Sequence, residues 1–120
     1  MHVTQVLALL VALWPGGVGA HAFPERFEPR VGATIRAAPT RVQVWFNGDL
    51  EPTFSTITVT DATGQRVDRG DPQVDSQNRR LLRVTLLTLS PGVYRVTWRV
   101  LAVDGHRTEG DYTFTLKGPE

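Results

Sequence analysis

The stretch VYRVTWRV, residues 93–100, decides the fold. Tyr94, Val96, Trp98 and Val100 fall on one side of an extended chain, and Arg95, Thr97 and Arg99 on the other. Successive side chains of a strand point to opposite faces, so this period of two describes a strand with one dry face and one wet face. Working outward, the alternation recurs in RVQVWF (41–46), TITVTD (56–61), LLRVTL (81–86) and DYTFTL (111–116). No segment sustains the i, i+3, i+4 apolar spacing of a long helix.

Turn chemistry separates these runs at Asn47-Gly48-Asp49, Ala62-Thr63-Gly64, Asp71-Pro72, Ser90-Pro91-Gly92 and Asp104-Gly105. Short strands with frequent turns predict an all-β protein, an immunoglobulin-like antiparallel β-sandwich of Greek-key type with about seven strands. LSPGVY, residues 89–94, has the form of a tyrosine corner, in which a Tyr entering a late strand ties back to the preceding loop. The leader HAFPERFEPRVG, residues 21–32, carries Pro24 and Pro29 and reads as extended chain. The polar segment 66–80 is expected to loop across one end or to carry a short edge strand.

All 13 basic and 12 acidic residues lie beyond residue 20. Before that point, LALLVALW (7–14) is an apolar run of signal-peptide length, broken by Pro15-Gly16-Gly17. Val18 and Ala20 supply the small residues a signal peptidase needs at −3 and −1. Residues 1–20 are therefore expected to be a cleaved export signal, and the run is too short to span about 30 Å of hydrocarbon as an anchor. The remaining residues, 21–120, suffice for one two-layer domain. A net charge of +1 with interspersed signs gives no basic stripe, so nucleic acid is not an expected partner. The domain is expected to be a monomer. Cysteine is absent, which removes thiolate metal sites and cysteine nucleophiles together.

Few residues remain that could do chemistry. Ser55, Ser76 and Ser90 lie in no nucleophile elbow, and the acidic residues sit mostly in turns. The hairpin candidate VDGHRTEG, residues 103–110, is different. Asp-Gly by itself explains a turn, with His106 a solvated loop residue. Yet Asp104 and His106 are two apart, so in extended chain both point to one side, and Gly105 between them presents no side chain. A carboxylate and an imidazole converging on one point make two ligands of a metal site.

The sequence has three histidines, His2, His21 and His106. Cleavage after Ala20 makes His21 the first residue, with a free amine as well as an imidazole, and these two donors can close a six-membered chelate. An amine, two imidazoles and a carboxylate suit Cu(II), which also stands highest in the Irving–Williams order. Zinc could use the same donors but prefers tetrahedral geometry. Cu(I) lacks soft sulfur donors, since the one methionine is Met1.

The leading His, the block FSTITVTDATGQRV, the strand entered through LSPGVYRVTWRV, and VDGH followed by EGDYTFTL together resemble the CopC family of periplasmic copper-resistance proteins. The resemblance covers residues 21 to about 117 and is closest to Cu(II)-only members, because no Met-rich stretch is present. It implies an immunoglobulin-like sandwich in the periplasm that binds copper and is not an enzyme. Carried over by position, its Cu(II) ligands fall on His21 (amine and imidazole), Asp104 and His106. It also implies a carrier, a buffer or a donor to an inner-membrane copper transporter. Some members carry a Glu in the loop after the VxVxF strand; here that loop reads NGDLEP, residues 47–52, so no ligand is carried over there. Two other readings use the same residues: a copper-dependent oxidative enzyme built on an N-terminal histidine chelate, and a metal-free immunoglobulin-like interaction module.

Overall fold

The computed structural model describes residues 22–119. The expected export signal, residues 1–20, and the candidate ligand His21 lie outside the described residues. Strands β1 (Pro24–Glu28), β3 (Arg41–Phe46), β6 (Asn78–Thr85) and β5 (Gln73–Asp75) form one sheet in the order β1-β3-β6-β5. Strands β2 (Thr34–Ile35), β8 (Arg107–Leu116), β7 (Gly92–Leu101) and β4 (Thr56–Thr60) form the other in the order β2-β8-β7-β4. The immunoglobulin-like β-sandwich is as expected. Among the described residues it has eight strands where about seven were expected; the two-residue β2 is too short to show a period. One pairing, β2 with β8, is parallel. The expected edge strand within 66–80 is β5.

The alternation in residues 93–100 is what seals the core. Tyr94, Val96, Trp98 and Val100 are buried, whereas Val93, Arg95 and Arg99 are exposed. They meet Val42, Val44 and Phe46 of β3 and Leu82 and Val84 of β6 in a single apolar cluster. Aromatic rings give the packing direction: Phe46 meets Trp98 edge to face at 5.4 Å, and Tyr94 stacks on Phe114 at 5.5 Å. Such contacts add about 0.5–1.5 kcal/mol to the area that they bury. The tyrosine corner is present, with the Tyr94 hydroxyl donating to the Ser90 carbonyl.

One buried carboxylate finishes the edge of β4. Asp68, with its side chain fully enclosed, accepts from the Val59 N–H at 2.7 Å and the Gly70 N–H at 2.8 Å. Arg66 completes it as a fork, Nε at 2.9 Å and Nη2 at 2.7 Å. Burial would raise this carboxyl, but the Arg66 and backbone hydrogen bonds outweigh it and hold it below the usual range. On the outer face of β7 and β8, Arg95 pairs with Asp111 and Arg99 with Glu109. Both pairs are solvent-exposed and add little to stability.

Candidate metal centre

The β7–β8 hairpin carries the candidate residues at its tip. Gly105 takes φ +94°, which non-glycine residues rarely adopt, and its N–H donates to the Ala102 carbonyl at 2.9 Å. The Ala102 N–H donates in turn to the His106 carbonyl at 2.9 Å, closing the turn. Within it the Asp104 carboxylate folds back over its own loop, Oδ1 accepting from the His106 N–H at 3.0 Å. Its other oxygen, Oδ2, lies 3.2 Å from His106 Nδ1. The two side chains that the spacing predicts to converge therefore do so, with the imidazole more than half exposed.

This tip is held to the loop after β3. Val103 N–H donates to the Asp49 carbonyl at 3.1 Å, Leu50 bridges to Ala102, and Glu51 N–H donates to the Leu101 carbonyl at 2.8 Å. The Asp49 side chain is turned elsewhere, with Arg80 Nε at 3.3 Å. The NGDLEP loop thus contributes its backbone to the hairpin and the Asp49 carboxylate to an ion pair.

The third element at this end is the beginning of the described chain. Ala22 is completely buried, and its carbonyl accepts from Thr108 Oγ1 at 2.9 Å. Phe23 exchanges two hydrogen bonds with Asn47, its N–H donating to Oδ1 and its carbonyl accepting from the Asn47 N–H, both at 2.9 Å. Thr108 follows His106 by two residues, so the entry of the chain is fixed beside the tip. Sequence reasoning treats Asn47 as a turn residue and does not single out Thr108. Their partners are 24 and 86 residues away, and no local pattern announces such contacts.

Chemically, Asp104 and His106 fit a divalent metal. Oδ2 and Nδ1, 3.2 Å apart, form a close imidazole–carboxylate contact, and both are donor types that a divalent metal would take. Among the described residues no group of three or more His, Cys, Asp or Glu gathers at one point. No helix among those residues is long and apolar enough to cross a membrane.

Known proteins resemble the chain across this whole framework. The CopC domain model matches residues 25–117. Protein YobA of Escherichia coli is 34% identical over 110 residues, 91% of this chain and 89% of its own. Copper transport protein CutJ of Bacillus subtilis is 30% identical over 112 residues, which are 92% of this chain but 21% of its own. The crystal structure of CopC from Methylosinus trichosporium OB3b superposes with a TM-score of 0.74 at 34% identity, covering 83% of this chain and 97% of that one. The domain match over residues 25–117, relatives at 30–34% identity and the shared sandwich show that the chain is a member of the CopC family, with a copper-related function.

Proposed function

We propose that the protein is an exported Cu(II) carrier, whose metal is held by the amine and imidazole of His21 together with Asp104 and His106. The observation that carries this reading is the 3.2 Å approach of Asp104 Oδ2 to His106 Nδ1 at a tip where the chain entering at Ala22 is anchored. His21 is one peptide bond from Ala22. The donor chemistry supports Cu(II) over Cu(I): nitrogen and carboxylate donors are hard to borderline, there is no cysteine, and the one methionine belongs to the expected signal.

The carrier reading is favoured over the oxidative enzyme. Asp104 is an anionic donor, which stabilises Cu(II) against reduction and so opposes redox cycling. A domain of this size also has little flat area for a polymeric substrate. Delivery to a membrane copper transporter is consistent with CutJ, a copper transport protein in which the matching region is about a fifth of the chain.

The test is a Cu(II) titration of protein recovered from the periplasm, with its N-terminus verified by mass as His21. One tightly bound equivalent, with an EPR spectrum of nitrogen and oxygen donors, is expected. A single Gly added before His21 should weaken binding severely, because it moves the amine out of the chelate. No Cu(II) binding by the His21-initiated protein would sink the proposal. Reductant-dependent oxygen consumption on a polysaccharide would favour the enzyme instead.

A further inference from the structure

We infer that Asn47 and Thr108 are positioning residues of the copper site, clamping the Ala22–Phe23 backbone so that the residue ahead of Ala22 is presented to Asp104 and His106. The inference rests on the proposed amine chelate and concerns residues that the chelate itself does not include.

The need for a clamp follows from the sequence. β1 begins at Pro24, opposite Phe46, and proline has no N–H to give to the ladder. Regular pairing with β3 therefore weakens just where the chain must be held most firmly. Asn47, the residue after β3, repairs this end in two ways. Its backbone N–H donates to the Phe23 carbonyl, and its side-chain Oδ1 accepts the Phe23 N–H, each at 2.9 Å. Thr108 adds an independent tie from the opposite sheet, Oγ1 to the Ala22 carbonyl at 2.9 Å. The methyl of Ala22 is sunk in the core. Consecutive peptide groups are thus gripped from β3 on one side and β8 on the other.

The clamp has a binding consequence that a loose terminus would lack. Ligating metal through a chain end orders that end, and the entropy lost then is subtracted from affinity. With Ala22 and Phe23 already fixed in the fold, that cost is met before copper arrives. Both hydrogen-bonding side chains lie outside the ligand set, so their removal leaves every donor chemically intact.

The experiment measures Cu(II) affinity by chelator competition for wild type, Asn47→Ala, Thr108→Val and Thr108→Ser. Each is made with His21 as first residue and again with one Gly before it, and apo melting is recorded for all. Asn47→Ala and Thr108→Val should each weaken binding about tenfold in the His21-initiated protein, the lower end of what residues behind a metal's ligands cost. Thr108→Ser, which keeps the hydroxyl, should bind as wild type does. In the Gly-extended background the same substitutions should cost no further affinity, whatever they do to melting. In apo Asn47→Ala the Phe23 amide should also lose protection from hydrogen exchange. Unchanged affinity in both variants, or equal losses in both backgrounds, overturns the clamp while leaving the chelate standing. An added Gly that costs wild type nothing overturns the chelate itself, and the clamp with it.

Discussion

Gly110 lies directly opposite Trp98 in the β7–β8 ladder, and a Cβ built on it would stand 2.6 Å from the Trp98 ring. The indole occupies the space a side chain would need, pinned from the other sheet by Phe46. Gly110→Ala must therefore push the ring or bend β8. A loss of about 1–3 kcal/mol is expected, as for other overpacked cores. In a domain of this size that lowers the melting temperature by roughly 4–8 °C per kcal/mol. Thermal unfolding followed by tryptophan fluorescence checks it; an unchanged midpoint would mean that the ring has room to move.

Asp68 should govern part of the acid limb of stability. Its carboxyl is lowered in the fold, so its contribution is complete above the unfolded value of about 3.9 and is lost as pH falls through the folded value. Asp68→Asn should flatten stability against pH across that acid window in urea unfolding. A remaining slope of the same sign is expected from Asp61, Asp71 and Asp75, each lowered chiefly by a hydrogen bond from Thr63, Thr85 or Arg83 respectively. Asp68→Ala, which strands the Val59 and Gly70 N–H groups, should cost about 2–3 kcal/mol at neutral pH. Parallel pH curves for wild type and Asp68→Asn would contradict the assignment.

The alkaline limb points to Tyr112. Burial, and secondarily the charge of Glu28, raise its hydroxyl above the ordinary value, and it donates to the Pro29 carbonyl at 2.8 Å. A phenol raised in the fold contributes fully below its unfolded value of about 10 and progressively less above it. Wild type should therefore lose stability as pH climbs past about 10. Tyr112→Phe should start about 1 kcal/mol lower, for the lost hydrogen bond, and then decline less over the same range. An equal decline in both proteins would remove Tyr112 as the cause.

The sheets were legible because both inner faces follow a strict period of two, as in Val42-Val44-Phe46 and Tyr94-Val96-Trp98-Val100. The exceptions have physical reasons. β2 is only long enough to pair, so its existence is decided by its neighbour β8 rather than by its own pattern. Asp68 reads in the sequence as one more polar loop residue, yet it is enclosed, because its segment folds against β4, where the Val67 N–H donates to the Val59 carbonyl and the Asp68 carboxylate accepts the Val59 N–H. At the candidate metal centre, Asp104 and His106 could be paired from their two-residue spacing, although the turn at Gly105 brings them together and not the extended chain that the spacing assumes. Asn47 and Thr108 could not, because their partners come from another strand and from the chain's entry.

The strongest discriminator of the site is a pair of substitutions at the hairpin tip. His106 is more than half exposed, so His106→Ala should change apo stability by no more than about 0.5 kcal/mol, the usual range for surface sites. Copper affinity should fall by more than about a hundredfold, beyond what residues outside the ligand set cost. Asp104→Asn keeps an oxygen able to accept the His106 N–H, so the turn should persist, but the anionic donor is gone. Copper should then bind more weakly and be reduced at a higher potential, because less negative charge stabilises Cu(II). For both variants and wild type, affinity should decline as pH falls, since protons compete with the metal for its donors. A melting loss in apo His106→Ala that matches the loss of binding would instead make His106 a structural residue. An unchanged copper potential in Asp104→Asn would remove the carboxylate from the ligand set.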